Sequence, residues 1–114
     1  MNKYMLLLGG IDRQADINQP AHYQQVMAKH GAWIESLVKR EIYVSSHKLL
    51  LGTGTRLTSR EGRVVAGPYT ETKETIGGFY IILAPTLEAA VEEARACPIV
   101  ADQGGFVEVR PIEI

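Results

Sequence analysis

The chain has 114 residues, of which 46% are hydrophobic and 22% are charged, values that are ordinary for one soluble globular domain with a single modest core. The formal net charge is −1, and lysine and arginine are scattered along the chain, so the composition gives no reason to expect a nucleic-acid partner. Cys97 is the single cysteine, which excludes a disulfide framework and a cysteine-based metal site.

The sequence shows no segment of the kind that enters a membrane. No apolar run approaches the ~20 residues that a membrane-spanning helix needs. The apolar run near the N-terminus, Tyr4–Leu8, is shorter than the core of a signal peptide. We therefore expect a cytoplasmic protein made of one domain, residues 1–114, with no membrane partner.

The first third of the chain predicts a strand followed by a helix. Tyr4–Leu8 is wholly apolar and too short for a helix, which predicts a strand buried on both faces. Pro20 suits the first position of a helix, and we expect this helix to run to about Lys39. Gly31 weakens its middle by ~1 kcal/mol relative to alanine. The residues of its apolar stripe recur at helical spacing, and they are Val26, Met27, His30, Trp33, Ile34 and Leu37.

The middle of the chain predicts short strands and a hairpin. Ile42–Val44 is compatible with a second strand. Thr55–Ser59 and Arg63–Val65 flank Arg60-Glu61-Gly62, which we predict to be a three-residue turn with glycine where φ must be positive. We expect the hairpin to end at Gly67-Pro68, because proline has no N–H to give to a strand ladder.

The C-terminal part of the chain predicts a strand, a helix and a final strand. Phe79–Leu83 is apolar on both faces, which predicts a strand. The two glycines just before it, Gly77-Gly78, are expected to belong to a flexible loop. Thr86 is the expected N-cap of the helix, and Pro98 is expected to end it. Phe106–Ile112 alternates between valines on one face and charged residues on the other.

The order of these elements is typical of an α+β fold with a ferredoxin-like split βαβ arrangement, in which two helices lie on one face of an antiparallel sheet. Two helices cover only one sheet face, whereas Tyr4–Leu8 and Phe79–Leu83 are apolar on both. Exposed apolar patches of that size usually mark an interface. We therefore expect a homodimer, in which a second copy of the chain covers the other face of the sheet.

Several short motifs stand out along the chain. They read AWIESL at 32–37, GPYTETKE at 67–74, GGFY at 77–80, CP at 97–98 and GFVEVRPI at 105–112. Together they resemble the signature of the YCII-related family, in its Asp-Gly-Pro-Phe branch, and the likeness runs the length of the chain. Ala66 stands where the family motif opens with aspartate, so no role of that carboxylate is transferred.

The resemblance implies a dimeric α+β barrel with a cleft for a small cyclic or aromatic metabolite. Related barrels carry out dehydrochlorination and lactone isomerisation with a positioned base, so one hypothesis is cofactor-independent acid–base chemistry of the lyase or isomerase type. Family members often occur beside regulatory sigma factors, so the alternative is a non-catalytic ligand-sensing or accessory module linked to transcriptional regulation. A cofactor-free monooxygenase on the same fold is a third possibility, which no specific residue supports.

His30 interrupts the apolar stripe of the first predicted helix. It is either a neutral core histidine or a general acid or base that faces a pocket between helix and sheet, since imidazole titrates near neutral pH. Some members of the family pair a histidine on this helix with an aspartate nine residues later, where this chain has Lys39. A carboxylate that orients His30 must therefore come from elsewhere, and Glu71 and Glu74 are the candidates. Glu71, which matches the family motif, is the expected catalytic partner, whereas Glu74 is expected to have a structural role.

Four further residues are candidate ligand-binding groups. Tyr69 replaces the phenylalanine of the family motif and is expected to pack with its hydroxyl on a polar partner. Lys73 either steadies developing negative charge or neutralises its loop, and His47 either binds a ligand or is solvated in a loop. Arg110 is expected to face the dimer cleft, where it anchors an anionic ligand or pairs with a glutamate such as Glu108.

Nothing in the sequence predicts a metal or a cofactor. His22, His30 and His47 are spread widely along the chain, without carboxylates at the spacing of metal ligands. Cys97 falls on an apolar helix stripe and has no histidine beside it in the sequence, so we expect it in the core.

Overall fold

The computed structural model describes residues 1–11, 17–50, 52–68 and 75–113. These residues form, in chain order, β1 (Asn2–Gly9), α1 (Pro20–Lys39), β2 (Tyr43–Lys48), β3 (Thr55–Arg60), β4 (Arg63–Pro68), β5 (Ile76–Ala84), α2 (Leu87–Ala94), α3 (Pro98–Ala101) and β6 (Phe106–Pro111). The predicted first helix, from Pro20 to about Lys39, is confirmed.

Four strands form one antiparallel sheet in the order β2-β5-β1-β6. The register places Leu6 of β1 opposite Tyr80 of β5 on one side and opposite Val109 of β6 on the other. Because α1 joins β1 to β2 while β5 lies between these two strands, the connection is a split βαβ unit. The predicted α+β class is therefore confirmed, with an architecture consistent with a ferredoxin-like fold.

The two faces of the sheet differ in burial. One face packs under α1 and α2 and is called the helix face; it is formed by Tyr4, Leu6, Leu8, Tyr80 and Ile82, all of which are buried. The opposite face is called the outer face, and its apolar residues are only partly buried; they are Met5, Leu7, Phe79, Ile81 and Leu83. Within a single chain, strands β1 and β5 are therefore fully buried on the helix face and only partly buried on the outer face. The sequence predicts burial on both faces.

The hairpin of β3 and β4 forms a separate two-stranded sheet. Arg60 pairs with Arg63, so the turn contains two residues, Glu61 and Gly62, and not the three that the sequence predicts. Both turn residues have positive φ, 52° and 78°, which is the type I′ geometry that matches the twist of the strands. The prediction was wrong because Arg60 itself belongs to the ladder.

The hairpin is exposed on both of its faces. Leu57 and Val64 keep 65% and 75% of their accessible surface. The radius of gyration of the chain is 15.9 Å, compared with about 13 Å for a compact chain of roughly this length. The hairpin therefore projects as an arm, although an isolated two-stranded hairpin is marginally stable in water.

Two further local predictions need correction. Gly77 and Gly78 lie inside β5 and do not precede it. Pro98 does more than end a helix, because it is the first residue of the short helix α3 after α2 has already ended at Ala94. Proline at the first helical position loses nothing, since its missing N–H would have no partner there.

The described helices are all too short or too polar to cross a membrane. Location in the cytoplasm stays a prediction.

The N-cap of α2 offers a test of the helix layer. Thr86 Oγ1 accepts a hydrogen bond from the backbone N–H of Ala89 at 3.1 Å, as the sequence predicts. We expect Thr86→Ala to lower the free energy of unfolding by ~1 kcal/mol, measured by urea denaturation, because one N–H of the first turn loses its acceptor. Thr86→Ser keeps the hydroxyl and should stay close to wild type. Equal stability of all three proteins would contradict the capping role.

Candidate functional site

A cavity of about 320 Å³ lies between α1 and the helix face of the sheet. Its roof is one face of α1, where Tyr23, Met27, His30 and Ile34 recur at i, i+4, i+7 and i+11. The volume is about twice the ~150 Å³ of an engineered apolar cavity that binds benzene. The space therefore suits a molecule of one or two rings.

The floor of the cavity is open because of Gly78. The register places Leu8, Gly78 and Lys48 side by side on three neighbouring strands, and the middle residue of this row has no side chain. A Cβ at Gly78 would lie 2.9 Å from the carbonyl oxygen of His47. Glycine is thus required for the close pairing of β2 with β5. Because it has no side chain, the cavity extends down to the backbone at this position.

His30 lies in the cavity wall with both ring nitrogens hydrogen-bonded. Its Nδ1 is 2.7 Å from the Tyr80 hydroxyl oxygen, and its Nε2 is 2.9 Å from Gln103 Oε1. An amide oxygen only accepts, so Nε2 must carry the proton. In the neutral ring Nδ1 then accepts the hydrogen bond that the Tyr80 hydroxyl donates. The Gln103 oxygen therefore selects one neutral tautomer of His30, to which the Tyr80 hydroxyl adapts as donor.

Tyr80 is a donor and not a base in this arrangement. Burial raises the pKa of its phenol, because the charged phenolate is poorly solvated in the core. Its ring also packs edge-on against Trp33, with the ring centroids 4.8 Å apart. The hydroxyl is thereby held protonated and in a fixed position beside His30.

Gln103 reaches His30 from the turn between α3 and β6. The neighbouring residues form a second link between the same two segments, since Lys29 Nζ lies 2.7 Å from Asp102 Oδ1. Two adjacent residues of α1 are thus joined to two adjacent residues of the turn. The ion pair is partly exposed and contributes at most about 1 kcal/mol.

The structure separates the other candidate residues. His47 lies in β2 and not in a loop. It pairs with Phe79, with the two ring centroids 5.6 Å apart, so its ring lies on the outer face, although residue 47 also borders the cavity. Arg110 pairs with Met5 and so lies on the outer face, away from the cavity. Its side chain is 64% exposed, and its Nη1 is 4.0 Å from Glu108 Oε1.

The remaining predicted site residues, Tyr69, Glu71 and Lys73, lie outside the described residues, as does Glu74. Their roles stay predictions. Among the described residues, no group of three or more His, Cys, Asp or Glu side chains is placed to hold a metal ion. Cys97 is buried, as expected, and burial raises the pKa of its thiol to about 11, so it is a core residue without nucleophilic character at neutral pH.

Sequence reasoning missed three residues of the site: Tyr80, Gln103 and Lys48. Tyr80 was visible only as part of an apolar strand, although a tyrosine in a buried strand signals a hydroxyl that needs a partner. Lys48 follows a predicted strand with no distinguishing pattern. Gln103 carries no local signal, because its contact with His30 depends on the packing of the turn against α1.

The tautomer of His30 is directly testable by NMR. We expect the neutral ring to carry its proton on Nε2 in the wild type, and Gln103→Leu to release this selection because Nε2 loses the acceptor that requires its proton. The variant should also lose ~1 kcal/mol of stability, since a partly buried donor is left without a partner.

The matched control is Gln25→Leu. It makes the same substitution at an exposed residue of α1, so the tautomer should stay as in the wild type. A wild-type ring protonated on Nδ1 would contradict the arrangement.

Comparisons with known proteins agree with the motifs. Residues 3–113, nearly the whole chain, match the YCII-related domain. A relative from Rhizobium meliloti (strain 1021), named only as an uncharacterised protein, is 36% identical over 88 residues, which cover 69% of this chain and 70% of the relative. The Asp-Gly-Pro-Phe branch stays a prediction. On the domain match and this similarity, the chain belongs to the YCII-related family.

Proposed function

We propose that this protein is a homodimer that binds a small cyclic or aromatic metabolite in the cavity between α1 and the helix face. The observation that carries the proposal is the His30 ring, fixed between Tyr80 and Gln103 in the wall of an otherwise mostly apolar hollow. Pockets for small molecules are typically apolar, with a few placed polar groups that fix the orientation of the ligand.

Acid–base chemistry of the lyase or isomerase type is the catalytic form of this proposal. An acidic C–H or O–H of the ligand that displaces the Tyr80 hydroxyl gives its proton to His30 Nδ1. Tyr80, which burial keeps protonated, then donates a hydrogen bond to the negative charge that develops on the ligand. Glu71 keeps its predicted role as the carboxylate that orients or assists His30.

The second candidate function is a ligand-sensing or accessory module without turnover, linked to transcriptional regulation. It is favoured by the state of His30, because both ring nitrogens already have protein partners. The partners found among the described residues are a phenol and an amide, and not the carboxylate that a catalytic histidine dyad uses. If the wild type converts a bound ligand and His30→Gln does not, the protein is an enzyme. If the wild type binds the ligand without converting it, the protein is a non-catalytic module.

The dimer is proposed from two surfaces that a single chain leaves open. The partly buried apolar residues of the outer face, with Ile81 near their centre, need a cover. The hairpin also has a side that lacks a cover. It carries the exposed apolar residues Leu57, Val64, Ala66 and Pro68, with Thr55 and Ser59 beside them. Since both belong to the same chain, a two-fold pair satisfies both at once.

The ligand-binding proposal is tested by filling the cavity. Gly31 lines it, and an added Cβ meets nothing within 4 Å, so Gly31→Leu extends into the space without a backbone clash. We expect phenol, indole or benzoate at millimolar concentration to bind the wild type in ligand-observed NMR, and the variant to bind at least about tenfold more weakly.

Ala32→Leu places the same side chain at the next residue, which does not line the cavity, and should bind like the wild type. Failure of all three compounds to bind the wild type, or equal binding by both variants, would count against the cavity as the site.

The dimer is tested by sedimentation of the wild type at micromolar concentration. We expect a dimer, and we expect Ile81→Lys to sediment as a folded monomer because it places a charge in the proposed interface. Val38→Lys is the control, since Val38 is an exposed apolar residue of α1. A wild type that sediments as a monomer contradicts the proposal.

A further inference from the structure

The cavity has a second polar group that the proposed chemistry does not use. Lys48, the last residue of β2, lies opposite Gly78 on the helix face. Its ammonium lies over the ring of Tyr23, 4.5 Å from the centroid, and donates a hydrogen bond to the hydroxyl of that tyrosine. Both residues line the cavity, so a cation and a hydroxyl are held together at one end of it.

The charge at this end is uncompensated within the part of the chain that the structure describes. Lys29 and Arg40 each contact a carboxylate, whereas no such contact with a described residue is found for Lys48. Of the described residues that line the cavity, Lys48 carries a fixed positive charge and none carries a carboxylate. A cleft with low-dielectric walls and one sign of charge concentrates ligands of the opposite sign.

The two polar ends of the cavity are well separated. Tyr23 and His30 are seven residues apart on α1, which corresponds to ~10 Å along a helix axis. The wall between them is largely apolar and includes Met27 and Leu8. A ligand that contacts both ends therefore has a flat apolar body with polar groups on opposite sides.

We infer that the ligand is an aromatic or cyclic carboxylate, whose carboxylate binds Lys48 and Tyr23 and whose opposite side carries a hydroxyl or carbonyl group that meets His30 and Tyr80. This inference rests on the proposed binding function and assigns its ligand class. A carboxylate beside an ammonium and a hydroxyl forms charge-assisted hydrogen bonds, which are about twice as strong as neutral ones. Lys48 is thus proposed to bind the anionic group, a role that the sequence suggested for Arg110. Arg110 lies on the outer face.

The test compares two probes of the same shape. 4-Hydroxybenzoate is an anion with a hydroxyl opposite its carboxylate, and 4-hydroxybenzamide is its neutral isostere. Both are titrated into the full-length wild type by calorimetry or by NMR shift mapping. We expect the wild type to bind the carboxylate at least about tenfold more tightly than the amide.

Variants assign the preference to Lys48. Lys48→Gln should lower the affinity for the carboxylate to that for the amide, and Lys48→Arg should restore most of the preference, since it keeps the charge. Lys39→Gln is the matched control, because Lys39 is an exposed lysine of α1 that does not line the cavity. Lys48 is itself exposed, so all three variants are expected to fold, which circular dichroism checks.

The outcomes separate the ligand class from the proposed function. Equal binding of both probes by the wild type, or an unchanged preference in Lys48→Gln, overturns the carboxylate inference and leaves cavity binding standing. If neither probe binds at millimolar concentration, the carboxylate inference is overturned, and the screen with phenol and indole decides separately whether the cavity binds small molecules at all.

Discussion

The approach of β2 to β5 at Gly78 is the constraint on which the site depends. A Cβ there would meet the His47 carbonyl oxygen at 2.9 Å, so the two strands pair only if this position has no side chain. The same absence opens the floor of the cavity under α1. The pairing of β2 with β5 and the open floor of the cavity thus depend on the same residue.

The polar groups around this space are few, and each has a structural reason to be there. His30 points inward because it shares a helix face with Met27 and Ile34, and it is tolerated because Tyr80 and Gln103 satisfy its nitrogens. Lys48 is tolerated at the cavity edge because its ammonium rests on the Tyr23 ring. The two ends of the cavity therefore differ chemically, with His30 and Tyr80 at one end and the Lys48 cation at the other. A plain packing defect would lack such a difference.

The regular elements followed from the sequence because they are determined locally. The spacing of Val26, Trp33 and Leu37 predicted α1, and these three residues are its buried ones. The turn of the hairpin was predicted one residue too long, because only cross-strand pairing decides whether Arg60 belongs to the ladder. The strand containing Gly77 and Gly78 was predicted to begin too late, since glycine signals a loop unless the neighbouring strand is known to come close.

The candidate site was predictable only in part. The position of His30 between helix and sheet followed from helical periodicity, but its partners come from residues 50 and 73 positions away in the chain. Such contacts depend on the register of β5 and on the packing of the turn after α3. No local pattern in a single sequence encodes them, and for that reason Tyr80, Gln103 and Lys48 emerged only from the fold.

The fixed part of the cavity floor has a consequence for where the cavity can change shape. A Cβ at Gly78 would meet the His47 carbonyl oxygen, so this position of the floor is closed to variation. The roof is different, because it consists of side chains of α1, such as Met27 and Ile34, and does not depend on the pairing of two strands. We therefore expect substitutions on this helical stripe to change the volume of the hollow while the sheet stays the same.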